Sequence, residues 1–194
     1  MQGVSARFEW RRYYGTRHVN EQRGNGWGQR HEFDRWLRFD LDGVRYERPN
    51  AETVEFGRLA RPGDRDTRQG HVLERVSEDL YQVRRTGSPS YEFRCGYGPK
   101  RRVALLTRMY EGLHEARFEY DGHGRLVGVV DYEQRTLRVE WDREGRLSGV
   151  VWLSPEGQRQ LVSYEYDRFG FLLGGRDAYG KAFSYSYDDA GYMT

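Results

Sequence analysis

Four aspartates share one setting, and they are the first residues in this sequence whose type and spacing could carry chemistry. The phrases are Phe118-Glu119-Tyr120-Asp121-x-x-Gly124-x-Leu126, Val139-Glu140-Trp141-Asp142-x-x-Gly145-x-Leu147, Tyr164-Glu165-Tyr166-Asp167-x-x-Gly170-x-Leu172 and Tyr185-Ser186-Tyr187-Asp188-x-x-Gly191-x-Met193. Carboxylates set in pairs can act as general acid and base. Their surroundings point to a structural task instead. Asp at the first position of a type I turn accepts hydrogen bonds from backbone N–H groups ahead of it, and Gly at the fourth takes the positive φ of a bulge. The aromatic, the Asp and the Gly of each phrase therefore read as a structural repeat motif with no catalytic role.

The other reactive side chains form no constellation. His18, His31, His71, His114 and His123 lack the close spacing of metal ligands on one strand or helix, and read as surface or turn histidines. Cys95, beside Gly96, reads as a strand-end thiol. There is no nucleophile elbow, phosphate-binding loop or Cys/His dyad, so no catalytic, cofactor-binding or metal residue is expected. Tyr164, Tyr166, Tyr185 and Tyr187 could stack on sugars or bases if they were exposed on a sheet face. Aromatic ladders between strands account for their regular recurrence better. Arg125 and Arg146, one past each turn glycine, are expected to pair with neighbouring acids such as Glu119 or Glu140.

The elements that would position these residues are strands. Leu137, Val139 and Trp141 alternate with Arg138 and Glu140, and Phe183, Tyr185 and Tyr187 alternate with Ala182, Ser184 and Ser186. Second turns of similar build stand between the phrases at Asp131–Gln134, Ser154–Gly157 and Asp177–Gly180. The hairpin around Ser154 is two residues longer on each arm, which predicts an in-ladder extension with alternation preserved and its turn projecting about 7 Å. In the first half, Asp40–Gly43 is another turn, flanked by strand candidates 36–39 and 44–47. Further runs lie at 7–14, 53–56, 72–76, 81–85, 91–94 and 102–109, separated by Gly, Pro and Asn clusters. The charged tract 58–69 reads as a mobile surface loop.

Composition agrees with an all-β chain. Of 194 residues 15% are aromatic and 24 are glycine, while only 37% are hydrophobic, a mix rich in turn and strand formers. Lys+Arg 32 against Asp+Glu 30 leaves +2, too little to suggest nucleic acid as a partner. One cysteine excludes a disulfide framework within the chain. Neither an apolar stretch long enough to span a membrane nor a secretory leader at Met1 is evident.

Tyr120-Asp121, Tyr166-Asp167 and Tyr187-Asp188, with Trp141-Asp142 as an aromatic variant, resemble the Rhs/YD-repeat family, named for this Tyr-Asp pair. Tyr13-Tyr14, Gly24-Asn25-Gly26-Trp27 and the hairpin from Asp40 to Tyr46 resemble the segment that opens many bacterial Rhs cores. The resemblance spans about residues 8 to 194. It implies a long antiparallel sheet of consecutive hairpins, a curved segment of an Rhs-type β-shell, with an irregular N-terminal segment over 1–110 and a YD-repeat array over 111–194 in one continuous sheet. It further implies a structural, non-enzymatic wall that encloses or presents a toxin domain carried elsewhere in a longer chain. Such a chain would wait in the bacterial cytoplasm and be delivered, often by a type VI secretion apparatus. A PAAR-type loading domain, the self-cleaving Asp-Pro-x-Gly region and a toxin are not in this sequence, which ends within a repeat. The expected partners are the remainder of the shell, its toxin and a secretion component, with self-association through an apolar face lined by Leu126, Leu147, Val162, Leu172 and Phe183. The alternative is a module that binds carbohydrate or protein through exposed aromatics.

Overall fold

The computed structural model describes residues 10–16, 24–50, 52–97 and 102–194, and every regular element among them is a β-strand. β1 (Arg12–Tyr14) and β2 (Gln29–His31) pair only with each other. Fifteen strands form one antiparallel sheet. Its first half holds β3 (Trp36–Phe39), β4 (Gly43–Glu47), β5 (Thr53–Gly57), β6 (Arg65–Arg68), β7 (His71–Arg75), β8 (Leu80–Arg85), β9 (Ser90–Cys95) and β10 (Val103–Glu111). The second half holds β11 (His114–Tyr120), β12 (Leu126–Val130), β13 (Thr136–Trp141), β14 (Leu147–Ser154), β15 (Gly157–Tyr166), β16 (Leu172–Asp177) and β17 (Ala182–Ser184).

From β6 to β17 each strand pairs with the next in sequence. The exception to this simple ladder is a fork at β10. Its C-terminal half, Arg108 to Glu111, pairs with β11, whereas Val103 to Leu105 pairs with β3. β3, β4 and β5 thereby bring the sheet back on itself, and β5 reaches β6 without a ladder. One bond crosses that seam, from the Gly57 N–H to Asp66 Oδ2 at 2.7 Å, so the sheet curls without closing into a barrel.

Period-two alternation builds the core. Val44 and Tyr46, Val54 and Phe56, Tyr81 and Val83, and Ala104 and Leu106 all point inward, and they join Leu126, Leu147 and Leu172 of the repeats in one apolar cluster. The predicted strands at 36–39, 44–47, 53–56, 72–76, 81–85, 91–94 and 102–109 are present with their ends moved by two residues or fewer. Of the run 7–14, residues 12–14 form β1, and residues 7–9 lie outside the described residues.

Two expectations are corrected. The tract 58–69 is not a mobile loop: residues 65–68 form β6, and Asp64 Oδ2 accepts the backbone N–H groups of Ala60 and Arg61 at 2.8 and 2.9 Å. An edge strand buries little side chain, so charged residues there hide its pairing from any hydrophobic pattern. The hairpin around Ser154 does extend the ladder, with Val151 opposite Gln160 and Ser154 opposite Gly157. A bulge between the Val150 and Val151 pairs breaks its alternation, and the turn is a tight two-residue loop unlike the repeat turns.

The N-terminal segment lies across the repeat array as a strap. Trp10 Nε1–H donates to the Tyr164 hydroxyl at 2.8 Å, and the Leu147 N–H donates to the Gly24 carbonyl at 2.6 Å. Trp27 Nε1–H reaches the Phe169 carbonyl at 2.8 Å, and the Met193 N–H reaches the Tyr14 hydroxyl at 2.9 Å. Much of the apolar face expected to be open is therefore covered from within the chain: Leu126, Leu147 and Leu172 are buried, and Val162 and Phe183 are half-buried.

Candidate functional site

Each repeat turn is tied by its own aspartate. The Gly124 N–H donates to the Asp121 carbonyl at 2.9 Å, and Asp121 Oδ1 accepts from the His123 and Arg125 N–H groups, both at 2.9 Å. Asp167 and Asp188 accept in the same way from Phe169 and Phe171, and from Ala190 and Tyr192. Gly124, Gly145, Gly170 and Gly191 stand at φ of 77°, 75°, 88° and 81°, where a Cβ would be strained. The ladder slips by one residue after Glu119, Glu140 and Glu165, which is the bulge that this turn requires. The second turns at Asp131 and Asp177 have the same build, with Gln134 taking a φ of 59° in the glycine position.

The arginines pair inside the turns and not with Glu119 or Glu140. Arg125 Nε and Arg146 Nε lie 2.7 Å from Asp121 Oδ2 and Asp142 Oδ2, and Arg135 repeats the contact on Asp131 at 2.6 Å. Placed one residue beyond the turn glycine, the guanidinium folds back over the carboxylate that shaped the turn. Burial alone would raise the Asp121 pKa, but the Arg125 and His123 donors outweigh it and hold the carboxyl low. A carboxylate so occupied is a structural acceptor.

The aromatic before each aspartate performs a task that the sequence reading missed. Trp141 Nε1–H donates to the Leu126 carbonyl at 2.8 Å, Tyr166 O–H to the Leu147 carbonyl at 2.8 Å, and Tyr187 O–H to the Leu172 carbonyl at 3.0 Å. Every acceptor is the apolar residue two past the glycine of the preceding phrase. The signal was available: the position holds Tyr or Trp, both with a donor at the ring tip, and never Phe. The lock spans 15, 19 and 15 residues, so it is kept across the longer hairpin between Leu147 and Tyr166.

The tyrosines also do not form the expected simple ladder. Tyr164 packs on Phe183 at 6.3 Å and Tyr187 on Phe171 at 4.9 Å, while Arg12 lies over the Tyr164 ring at 4.4 Å and Arg146 over Tyr166 at 5.2 Å. Guanidiniums are interleaved with the rings.

Among the histidines, His31 and His71 are buried, contrary to the surface reading, and His18 lies outside the described residues. His31 Nδ1 accepts the Phe33 N–H at 3.2 Å while Nε2 faces Asp34 Oδ1 at 3.1 Å, so both ring nitrogens are engaged. Burial lowers its pKa against the pull of Asp34. His123 is exposed in a repeat turn and His114 half-buried against Tyr132. Cys95 closes β9 half-buried, and burial pushes its thiol pKa up. No group of three or more His, Cys, Asp or Glu that could hold a metal occurs among the described residues.

The family model described as RHS Repeat matches residues 120–151, from the first Tyr-Asp pair through the second turn into β14. That match supports an Rhs/YD-repeat assignment for this stretch of the chain. No curated protein matches the chain. In the Rhs repeat so defined, the Asp–Gly turn and the aromatic lock are the working parts, and their role is structural.

Proposed function

We propose that this Rhs-repeat chain is a wall segment of a β-shell that encloses or presents a toxin domain carried elsewhere in a longer polypeptide, and that it performs no catalysis of its own. The polypeptide would be made in the bacterial cytoplasm and delivered through a secretion apparatus. The observation that supports this reading is the lock, which ties each hairpin to the one before it whatever the hairpin's length. A serial joint of this kind lets a wall grow by simple addition. The alternative of sheet aromatics holding glycan or protein is disfavoured at Tyr164, Tyr166 and Tyr187, because Tyr164 is buried and the hydroxyls of Tyr166 and Tyr187 are committed to carbonyls.

Protease treatment of the complete product of the reading frame that contains this chain tests the proposal. A distal domain that resists digestion until the repeat array is unfolded supports enclosure. A distal domain digested as fast as the same domain alone, or a reading frame with no further domain, rejects it.

A further inference from the structure

The fork at β10 opens a cavity of 370 Å³ between the irregular half of the sheet and the repeat array, lined by Asp34, Trp36, Tyr97, Tyr120 and Trp141 among others. That volume suits a small molecule. Tyr120 is where the repeat rule stops. Trp141, Tyr166 and Tyr187 each spend their donor on the hairpin before, but Tyr120 begins the series. The strand half that would stand before it, Val103 to Leu105, is turned away to pair with β3. Among the described residues no acceptor takes the Tyr120 O–H. Burial, with Asp34 and Tyr97 nearby, raises its pKa, so the phenol stays a donor at neutral pH.

The groups around the cavity narrow the chemistry of an occupant. Arg35 and Arg125 already face Glu32 and Asp121 at 2.6 and 2.7 Å, and Arg38, whose Nε makes no hydrogen bond among the described residues, has Asp40 at 3.7 Å, so an anion finds two of the three arginines already paired. Asp34 accepts from the Asn25 side chain at 2.7 Å and from the His31 N–H at 2.9 Å, and faces His31 Nε2, which leaves little for a cation. A wholly apolar guest would strand the tyrosine hydroxyl without water. Tyr97 and Tyr120, with ring centroids 5.5 Å apart and planes at 51°, offer two tilted ring walls. An uncharged ring bearing hydroxyls satisfies all of these at once. We propose that the cavity binds one saccharide unit, with the Tyr120 hydroxyl donating to a sugar oxygen and the Tyr97 ring against the sugar's face. This site is independent of the shell reading and can hold or fail without it.

Trp36 and Trp141 line the cavity and report its occupancy by fluorescence. The full chain is titrated with glucose, galactose, N-acetylglucosamine and cellobiose, and with benzoate and indole as charged and apolar controls. At least one sugar is expected to give a saturable change below about 10 mM. Tyr120→Phe, which removes no lock, should weaken that binding about tenfold. Tyr187→Phe removes a lock outside the cavity and should leave it unchanged. Absence of saturable binding by all four sugars, equal affinity in Tyr120→Phe, or preference for benzoate or indole overturns the assignment.

Discussion

Trp141 stands where three other repeats have tyrosine, and its indole N–H reaches the Leu126 carbonyl as the phenols of Tyr166 and Tyr187 reach Leu147 and Leu172. The residue at this position is therefore selected for a donor at ring length, and phenylalanine keeps the ring while losing the joint. Tyr166→Phe is expected to cost about 1 kcal/mol, the usual net worth of one hydrogen bond, since the Leu147 carbonyl is left without that donor. Trp141→Phe should cost about 2–3 kcal/mol because the indole also packs against Gly24 of the strap. Urea unfolding of the two variants gives the comparison; equal losses would mean that the strap contact contributes nothing. His31 supplies a pH effect at the same scale. Its folded pKa is lowered, first by burial and against the opposing charge of Asp34. The folded chain thus binds fewer protons than the unfolded chain just below the ordinary histidine pKa. Stability is then full above about pH 6.5 and falls as the pH drops from there toward the folded pKa, with His71 acting in the same direction. Unfolding free energies measured between about pH 8 and about pH 5 should show this slope, and His31→Gln should flatten it.

Hairpins are the unit in which the sheet is assembled, and Gly175 of β16 is a point of close approach between two strands. A Cβ built there would sit 1.9 Å from the Ser163 carbonyl oxygen of β15, a backbone atom that cannot move aside alone. Gly175→Ala should therefore part β15 from β16 and cost about 2–3 kcal/mol. Gly180→Ala meets nothing within 4 Å and bears only the strain of its φ of 79°, about 1 kcal/mol. Hydrogen exchange should show loosened amides from β15 to β17 in the first variant and a change confined to the turn in the second. Elements such as these were open to sequence reading because their cause is local. Asp and Gly three residues apart dictate a turn, and alternation on either side dictates the buried face. β6 escaped because its charged side chains carry no such alternation, and the bulge beside Val151 escaped because equal lengthening of both arms suggests a straight ladder. The lock was half legible, since donor-bearing aromatics mark it but the carbonyl they meet lies in another hairpin. The cavity was not legible at all, because it arises where β10 changes partners.

At the scale of the whole molecule, the decisive contacts join residues that are far apart in sequence. Trp10 meets Tyr164 across 154 positions and Tyr14 meets Met193 across 179, and no local pattern announces either. An open apolar face on the repeat array would favour association between chains. The strap changes that balance by laying Trp10, Gly24, Gly26 and Trp27 over the array, with Phe33 following at 5.1 Å from Phe118. Trp10 is the side chain to remove, since it stacks on His31 at 4.7 Å, touches Phe33 and donates to Tyr164. Trp10→Ala should lose about 3 kcal/mol through the cavity it leaves and the lost bond to the Tyr164 hydroxyl. Its strap should then lift and uncover the face lined by Leu126, Leu147 and Leu172. The expected result is stronger binding of a hydrophobic dye and a shift to larger species in sedimentation velocity, relative to the parent chain at the same concentration. A Trp10→Ala chain that loses stability yet shows the dye binding and sedimentation of the parent would mean that the remaining strap contacts, Trp27 to Phe169 and Tyr14 to Met193, keep the face covered by themselves.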